Sequence, residues 1–483
     1  MPRLDRRRIL QAGGAGLIGA WAGGSGVGRG DSEALRLKEN VIGRTPFTLT
    51  AETGSAQLVA SGVKTPIWSY DGTLFPVLRM QRGETANIAL HNTLPEHTSV
   101  HWHGVRVANA MDGVPYLTQS PVQTGETFAY SFAPPDAGTF FFHPHCATSE
   151  QVGRGLVGVL IVDGDTREPF DDDLALVLKD WRIDDSGAYL PFTTLEGTSR
   201  AGTYGTLRTV NGLVTPRYTL PRNANVRLRL VNIDPTRIAN IRIDGAEAHV
   251  IAIDGNAVMP FALDGWRLGP AMRLDLAVRT RDSGTATVSD YQAATPVPLT
   301  TLDFQGEAKR SRMWQPLLRA QLPEPDLARA QHCQLELGAG VGLDAPVPEL
   351  KPIVFSDGRT FDPTDSLCLA GTSLWTLNGQ SWPAGGHERL PPPLFSFRRG
   401  ASIVFELFNA TPHAHPLHVH GHTMRFLSST RLQRPPHWAD TILVMPNERV
   451  TVAFVADNPG RWMIHCHIVE HQEAGMMGWF DVS

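Results

Sequence analysis

Apolar and polar residues alternate in short runs along most of the chain. Val226-Arg227-Leu228-Arg229-Leu230 and Ile403-Val404-Phe405-Glu406-Leu407 are two of them, and Gly, Pro, Asn and Asp break the pattern in between. A period of two places successive side chains on opposite faces of an extended strand, so each run predicts a half-buried strand. Many short strands between turn residues predict β-sandwiches with little helix.

Three of these runs belong to a repeat. Each starts at a turn, passes through a strand to an Asn, and leads to a second strand: Arg82-Gly83 through Asn92 to His101-Trp102-His103-Gly104, Arg222-Asn223 through Asn232 to Ile241-Arg242-Ile243, and Arg399-Gly400 through Asn409 to His418-Val419-His420-Gly421. The residues nine and eleven after the Asn are histidines in the first and third copies and isoleucines in the second. A second repeated segment runs from Asp136-Ala137-Gly138 to His143-Pro144-His145, and from Asn458-Pro459-Gly460 to His465-Cys466-His467. The repeats predict domains over 40–163, 170–302 and 345–483, with a linker over 303–344, and the N-terminal composition predicts an export signal with a Gly-rich tail over 1–30.

The chain has 483 residues and a formal net charge of -5, and no basic patch stands out, which argues against a nucleic-acid partner. Arg6-Arg7-Arg8 precedes a mildly apolar Gly/Ala-rich run to Ala22, which predicts a twin-arginine export signal and a periplasmic or other extracytoplasmic location. No membrane anchor is expected once that signal is removed, and a monomer is expected. There are four cysteines, so a disulfide framework is not expected; Cys146, Cys333 and Cys368 allow at most one bridge if Cys466 binds metal.

Candidate chemistry concentrates in the histidines. In a strand through His465-Cys466-His467, the two imidazoles share one face and the thiol takes the other, so one strand can serve two metal sites. Cys466, His471 and Met476 supply a thiolate, an imidazole and a weak axial thioether, the donor set of a blue-copper electron-transfer site. His415 stands where the first copy has Thr98 and supplies the second imidazole; Pro144 and Leu156 stand where the third copy has Cys466 and Met476, so the first copy lacks such a site. The pairs His101/His103, His143/His145, His418/His420 and His465/His467 put eight imidazoles in matched positions, which suits a copper cluster better than a four-ligand zinc site. Two pairs come from each end of the chain, so the ends must pack together.

With these motifs, HWHG at 101–104, HPH at 143–145, HPLHVHGH at 415–422 and HCHIVEHQEAGM at 465–476, the chain resembles the bacterial laccase-like multicopper oxidases. KTPIWSY at 64–70, MDGVPYLTQSPV at 111–122 and GRGLVGVLIV at 153–162 look most like members linked to manganese oxidation. The resemblance implies an all-β chain of three consecutive cupredoxin-like Greek-key β-sandwich domains and four copper ions. Type 1 copper would sit at His415, Cys466 and His471 with Met476 axial, and type 2 copper at His101 and His418. The type 3 pair would be held by His103, His143, His145, His420, His465 and His467. The implied reaction is one-electron oxidation of a donor at type 1 copper, coupled through Cys466 to four-electron reduction of O2 to water.

Asp112, in the MDG segment, is expected either to relay protons to the cluster or to be a turn residue before Gly113. Related laccases often carry Glu right after the second type 1 histidine, where this chain has Gln472, leaving Glu473 or water for that route. A partly exposed edge of His415 or His471 is expected to take electrons. Trp438, Asp440, Glu470 and Glu473 are either rim residues of that site or packing, turn and solvated-face residues. His91, His97, His249, His332, His387, His413, His422 and His437 are expected to lie outside the site. The 11 methionines form no cluster, so phenols or aromatic amines are favoured as donors over metal ions such as Mn(II), Cu(I) or Fe(II). A copper-free, division-associated scaffold of the same fold is the remaining alternative.

Overall fold

Three buried asparagines occupy the same position in three sandwiches. Asn92, Asn232 and Asn409 close the strands Ala86–Asn92, Val226–Asn232 and Ala401–Asn409. Each strand runs parallel to one neighbour, with the Asn opposite Ala51, Leu178 or Leu337. The side-chain amide donates to two carbonyls: Glu96 and Val122, both at 2.8 Å, Arg237 and Leu268, both at 2.9 Å, or His413 and Val444, at 2.6 and 3.0 Å. Its Oδ1 accepts from the backbone N–H two residues on, at 2.9, 3.1 and 2.9 Å. The repeated Asn therefore clamps the loop that delivers the next strand, the one bearing His or Ile.

This computed structural model describes residues 36–280, 282–306, 314–339, 374–382 and 390–483, together with the backbone of Ile353–Val354 and Thr360–Phe361. The expected export signal, Cys368 and His387 lie outside the described residues. Each sandwich pairs two mainly antiparallel sheets, of five and four strands in the first, six and five in the second, and six and five in the third. The expected linker over 303–344 is corrected in part. Gln331–Ala339 is a strand of the third sandwich, burying Cys333, Leu335 and Leu337 while Gln334 and Glu336 stay exposed. It supplies the parallel partner that the repeat requires.

The two ends of the chain do pack together. Arg106 pairs with Asp457 at 3.3 Å, Asn109 donates to the Arg461 carbonyl at 2.7 Å, and Asn458 donates to that of Val107 at 2.8 Å. The glycines of the second repeated segment lie at contacts with another sandwich in both copies, Gly138 with the second and Gly460 with the first. A Cβ on Gly138 (φ 151°) would come within 2.3 Å of the Gly255 carbonyl oxygen, and one on Gly460 (φ 133°) within 2.4 Å of Asn109.

Asn232→Ala should lower the thermal midpoint without touching any candidate metal ligand. Stranding a buried donor or acceptor costs about 1–3 kcal/mol, and this change strands three. An unchanged melting curve would show that the Asn clamp is dispensable.

Candidate metal centre

The four His-x-His units lie on two matched pairs of strands. His101–His103 runs antiparallel to Gly138–His143 with His101 opposite His143, and His415–Val419 runs antiparallel to Gly460–Cys466 with His418 opposite His465. Trp102 and Val419 point into the sandwich cores and are fully buried, as the alternation predicts. The histidines point the other way, into the junction of the first and third sandwiches. There the possible ligand atoms of His101/His103/His418, His103/His143/His467 and His145/His420/His465 lie within 4.8 Å of one another, group by group.

Hydrogen bonds fix which ring nitrogen is free. His101, His418, His143 and His465 each donate Nδ1–H to a backbone carbonyl, of Asp112, Asp440, Pro144 and Cys466 respectively, at 2.8 to 3.0 Å. The Nε2 atoms of His101, His143 and His418 have no hydrogen-bond partner, and neither ring nitrogen of His145 or His467 has one. His420 donates Nδ1–H to Asp112 Oδ2 at 2.9 Å. The His420 and His465 Nε2 atoms are therefore both unprotonated, yet they lie 3.1 Å apart. Two lone pairs at that distance repel unless a cation lies between them. Burial holds His103, His143, His145, His420, His465 and His467 well below the ordinary imidazole pKa, so they are neutral, the form that binds metal.

Two carboxylates grip this cluster across the domain junction in the same way. Asp112, in the first sandwich, holds His101 through its carbonyl and His420 of the third through its carboxylate. Asp440, in the third, holds His418 through its carbonyl and His103 of the first through Oδ1, at 3.1 Å. Gly113 lets the Asp112 loop lie against the histidine strand: its φ is 81°, and a Cβ there would be 1.8 Å from the Val100 carbonyl oxygen.

Cys466 points to the other face, as expected, and meets His415 and His471. Its Sγ lies 3.5 and 3.7 Å from their Nδ1 atoms, which are 3.0 Å apart. His471 donates Nε2–H to the Arg200 carbonyl at 2.6 Å. His415 Nε2 meets Thr411 Oγ1 at 2.7 Å, and that hydroxyl also reaches Asn409 Oδ1 at 2.8 Å, so the clamp asparagine supports this ring. Both Nδ1 atoms are left bare and facing the thiol. Burial lowers the His471 pKa to about 3 and pushes the Cys466 thiol up, a penalty that a bound cation reverses. Met476 is fully buried, and its carbonyl accepts from Cys466 N–H at 3.0 Å. The donors fit copper in both places. In the first copy, Thr98 and Gln151 stand where His415 and His471 do, and a 2.7 Å hydrogen bond joins them directly.

Of the residues weighed as rim or as packing, turn and solvated-face residues, Glu470, Glu473, Trp438 and Asp440 each have a definite place. His415 and His471 are fully buried, not partly exposed. The segment from Thr194 to Thr203 covers them, held by the Glu470 carboxylate, which accepts from Thr194 N–H at 3.1 Å and from the Thr203 hydroxyl at 2.6 Å. Trp375 closes another side, 4.5 Å from the His471 ring, and donates to the Thr198 carbonyl at 2.7 Å. Glu473 accepts from Ser149 N–H at 2.7 Å, across the junction of the first and third sandwiches. Asp440 belongs to the histidine cluster, while Trp438 lines a cavity of about 360 Å³ between the second and third sandwiches. Spacing did not assign Asp440 to the cluster, because it lies 20 residues after His420, whereas Asp112 lies only nine after His103. His97, His422 and His437 are buried outside the cluster, and burial lowers the pKa of each to about 4.

Family models described as multicopper oxidase match residues 52–167, 173–300 and 369–483. The crystal structure of a multi-copper oxidase from Pseudomonas thermotolerans superposes with a TM-score of 0.80 and 34% identity, over 92% of this chain and all of that one. Multicopper oxidase MmcO of Mycobacterium tuberculosis is 28% identical over 91% of this chain and 87% of its own length. Laccase-1 of Botryotinia fuckeliana is 25% identical over 92% of this chain and 83% of its own.

Since bare nitrogens face one another at both places, loading with copper should raise the thermal midpoint well above that of chelator-stripped protein. Free metal at about 1,000 times its dissociation constant adds about 4 kcal/mol. Coincident melting curves would mean that the nitrogens do not hold metal.

Proposed function

Since the chain belongs to the multicopper oxidase family, we propose a role for each of its clustered donors. The protein is a copper-dependent oxidoreductase that uses O2. His415, Cys466 and His471, with Met476, would hold the type 1 copper that receives the electron. His101 and His418 hold type 2 copper. His103, His143 and His467 hold one type 3 ion, and His145, His420 and His465 the other. The observation that carries this assignment is the pair of bare Nε2 atoms of His420 and His465, 3.1 Å apart and fully buried.

Copper held at these places would supply one-electron redox chemistry, by which four electrons taken singly and four protons reduce one O2 to two waters. The residues do the rest. Cys466 supplies the wire: its side chain reaches the type 1 site, its neighbours His465 and His467 reach the cluster, and its carbonyl holds His465 Nδ1–H at 2.9 Å. Asp112 Oδ2 is committed to His420, while its buried Oδ1, 3.2 Å from His101 Nδ1, has no hydrogen-bond partner and is the oxygen suited to carry a proton to the oxygen site. Gln472 cannot act as an acid, and Glu473 is engaged by Ser149.

Phenols and aromatic amines are the donors this reading favours. The covered His471 ring requires the electron to cross the Arg200 peptide or its surroundings, which suits an outer-sphere donor more than one that must bind the ring. Export through the twin-arginine route as a periplasmic monomer is part of the same proposal, supported by Arg6-Arg7-Arg8 and the run that follows. Among the described residues, no helix is long and apolar enough to cross a membrane.

Cys466→Ser should abolish the thiolate-to-copper absorption and phenol oxidation while the far-ultraviolet circular dichroism is kept; an unchanged visible spectrum would refute the type 1 assignment. Asp112→Asn should retain copper and the blue band but slow O2 reduction by roughly 10²–10⁴-fold, the range for loss of a general acid. Equal turnover at every pH would remove Asp112 from the proton route.

A further inference from the structure

The middle sandwich contributes no histidine to the cluster, but it sends one charged side chain there. Arg273 lies on the strand Arg273–Arg279 and is fully buried. Its guanidinium meets the Asp440 carboxylate with both terminal nitrogens, Nη1 donating to Oδ1 at 2.8 Å and Nη2 to Oδ2. It also donates to the Ala271 carbonyl at 2.9 Å. Bidentate pairing fixes the plane of a carboxylate as well as its charge.

The surroundings are shaped for this contact. Gly104, at the end of the HWHG motif with φ 81°, has no side chain where a Cβ would come within 2.5 Å of Arg273 Nη2 and 2.4 Å of Asp440 Oδ2. Asp254, buried and held at φ 46° in a region that non-glycine residues rarely adopt, accepts from Arg273 N–H at 2.8 Å and from Thr441 N–H at 3.1 Å. Thr441 in turn donates its hydroxyl to Asp440 Oδ1 at 2.8 Å. The two carboxylates of the cluster are therefore unequal. Asp112 Oδ1 has no hydrogen-bond partner and meets only His101 Nδ1, at 3.2 Å, whereas both oxygens of Asp440 accept from Arg273.

We propose that Arg273 is a positioning residue for the trinuclear cluster, pinning Asp440 and through it His103 and His418. The proposal rests on reading those two histidines as copper ligands. It gives the copper-free sandwich a part in shaping the cluster: through Arg273, Asp440 is a fixed brace between the first and third sandwiches. The chain of contacts is short. Arg273 holds the carboxylate, the carboxylate holds His103 Nε2 and leaves Nδ1 bare, and the Asp440 carbonyl holds His418 Nδ1 and leaves Nε2 bare.

The test compares copper-loaded wild type with Arg273→Met and Arg273→Lys by copper content, visible spectrum, type 2 electron paramagnetic resonance, anaerobic reduction by a phenol and reoxidation by O2. Arg273→Met should keep the blue band and the anaerobic reduction rate, which depend on the distant type 1 site. It should lose at least half of the type 2 signal or change its hyperfine splitting, and reoxidise at least tenfold more slowly. Arg273→Lys should recover part of both losses, since an ammonium restores the charge but not the fork. A methionine variant with a wild-type type 2 signal and reoxidation rate would overturn the proposal. If that variant does not fold, Asp440→Asn decides: a weakened type 2 signal supports the brace, and an unaltered one overturns it. A wild-type protein with a blue band but no type 2 signal would overturn the ligand reading instead.

Discussion

Lone pairs of neutral imidazoles, buried against one another, are the constraint on which the rest of this structure depends. Burial keeps the rings uncharged, and carbonyls of Asp112, Asp440, Pro144 and Cys466 take the proton of one nitrogen so that the other is bare. Such an arrangement is unfavourable by itself and favourable around cations. The sandwiches supply the rigidity: paired strands in matched register set the rings, and interdomain contacts on either side hold the two halves of the cluster together.

The cluster is built by duplication and then specialised. The Asn clamp and the parallel strand pairing recur in all three sandwiches, so the loop and strand that can carry His-x-His are present three times. The middle copy fills that strand with Ile241, packed in its core, and is left to brace the others. The first copy keeps the cluster face and closes the opposite one with Thr98, Pro144, Gln151 and Leu156. Only in the third do both faces bear donors, and that asymmetry gives the electron a direction, from the Cys466 side to the histidine side.

Much of this was legible from spacing. Repeats with a period-two core reveal three sandwiches, and His-x-His units at equal offsets reveal which faces converge, because a strand's geometry follows from its sequence register. What spacing misses is whatever depends on partners far apart in sequence. Asp440 mirrors Asp112 only in space, since a hairpin between His420 and Asp440 breaks the offset. The Gln331–Ala339 strand is separated from its partner by a long insertion and was hidden for that reason. Glu470 and Glu473, acidic and next to a metal ligand, invite a rim reading, but they are consumed by backbone donors of other sandwiches. Arg273 has no motif at all.

The central claim is that one thiolate site collects electrons singly and the histidine cluster spends them four at a time. The most direct measurement is the number of one-electron equivalents of a phenol consumed per O2 by copper-loaded protein, with peroxide assayed in the same vessel. The account predicts four equivalents per O2 and no peroxide. Two equivalents with stoichiometric peroxide would contradict it, since the cluster would then not be acting as a single four-electron site.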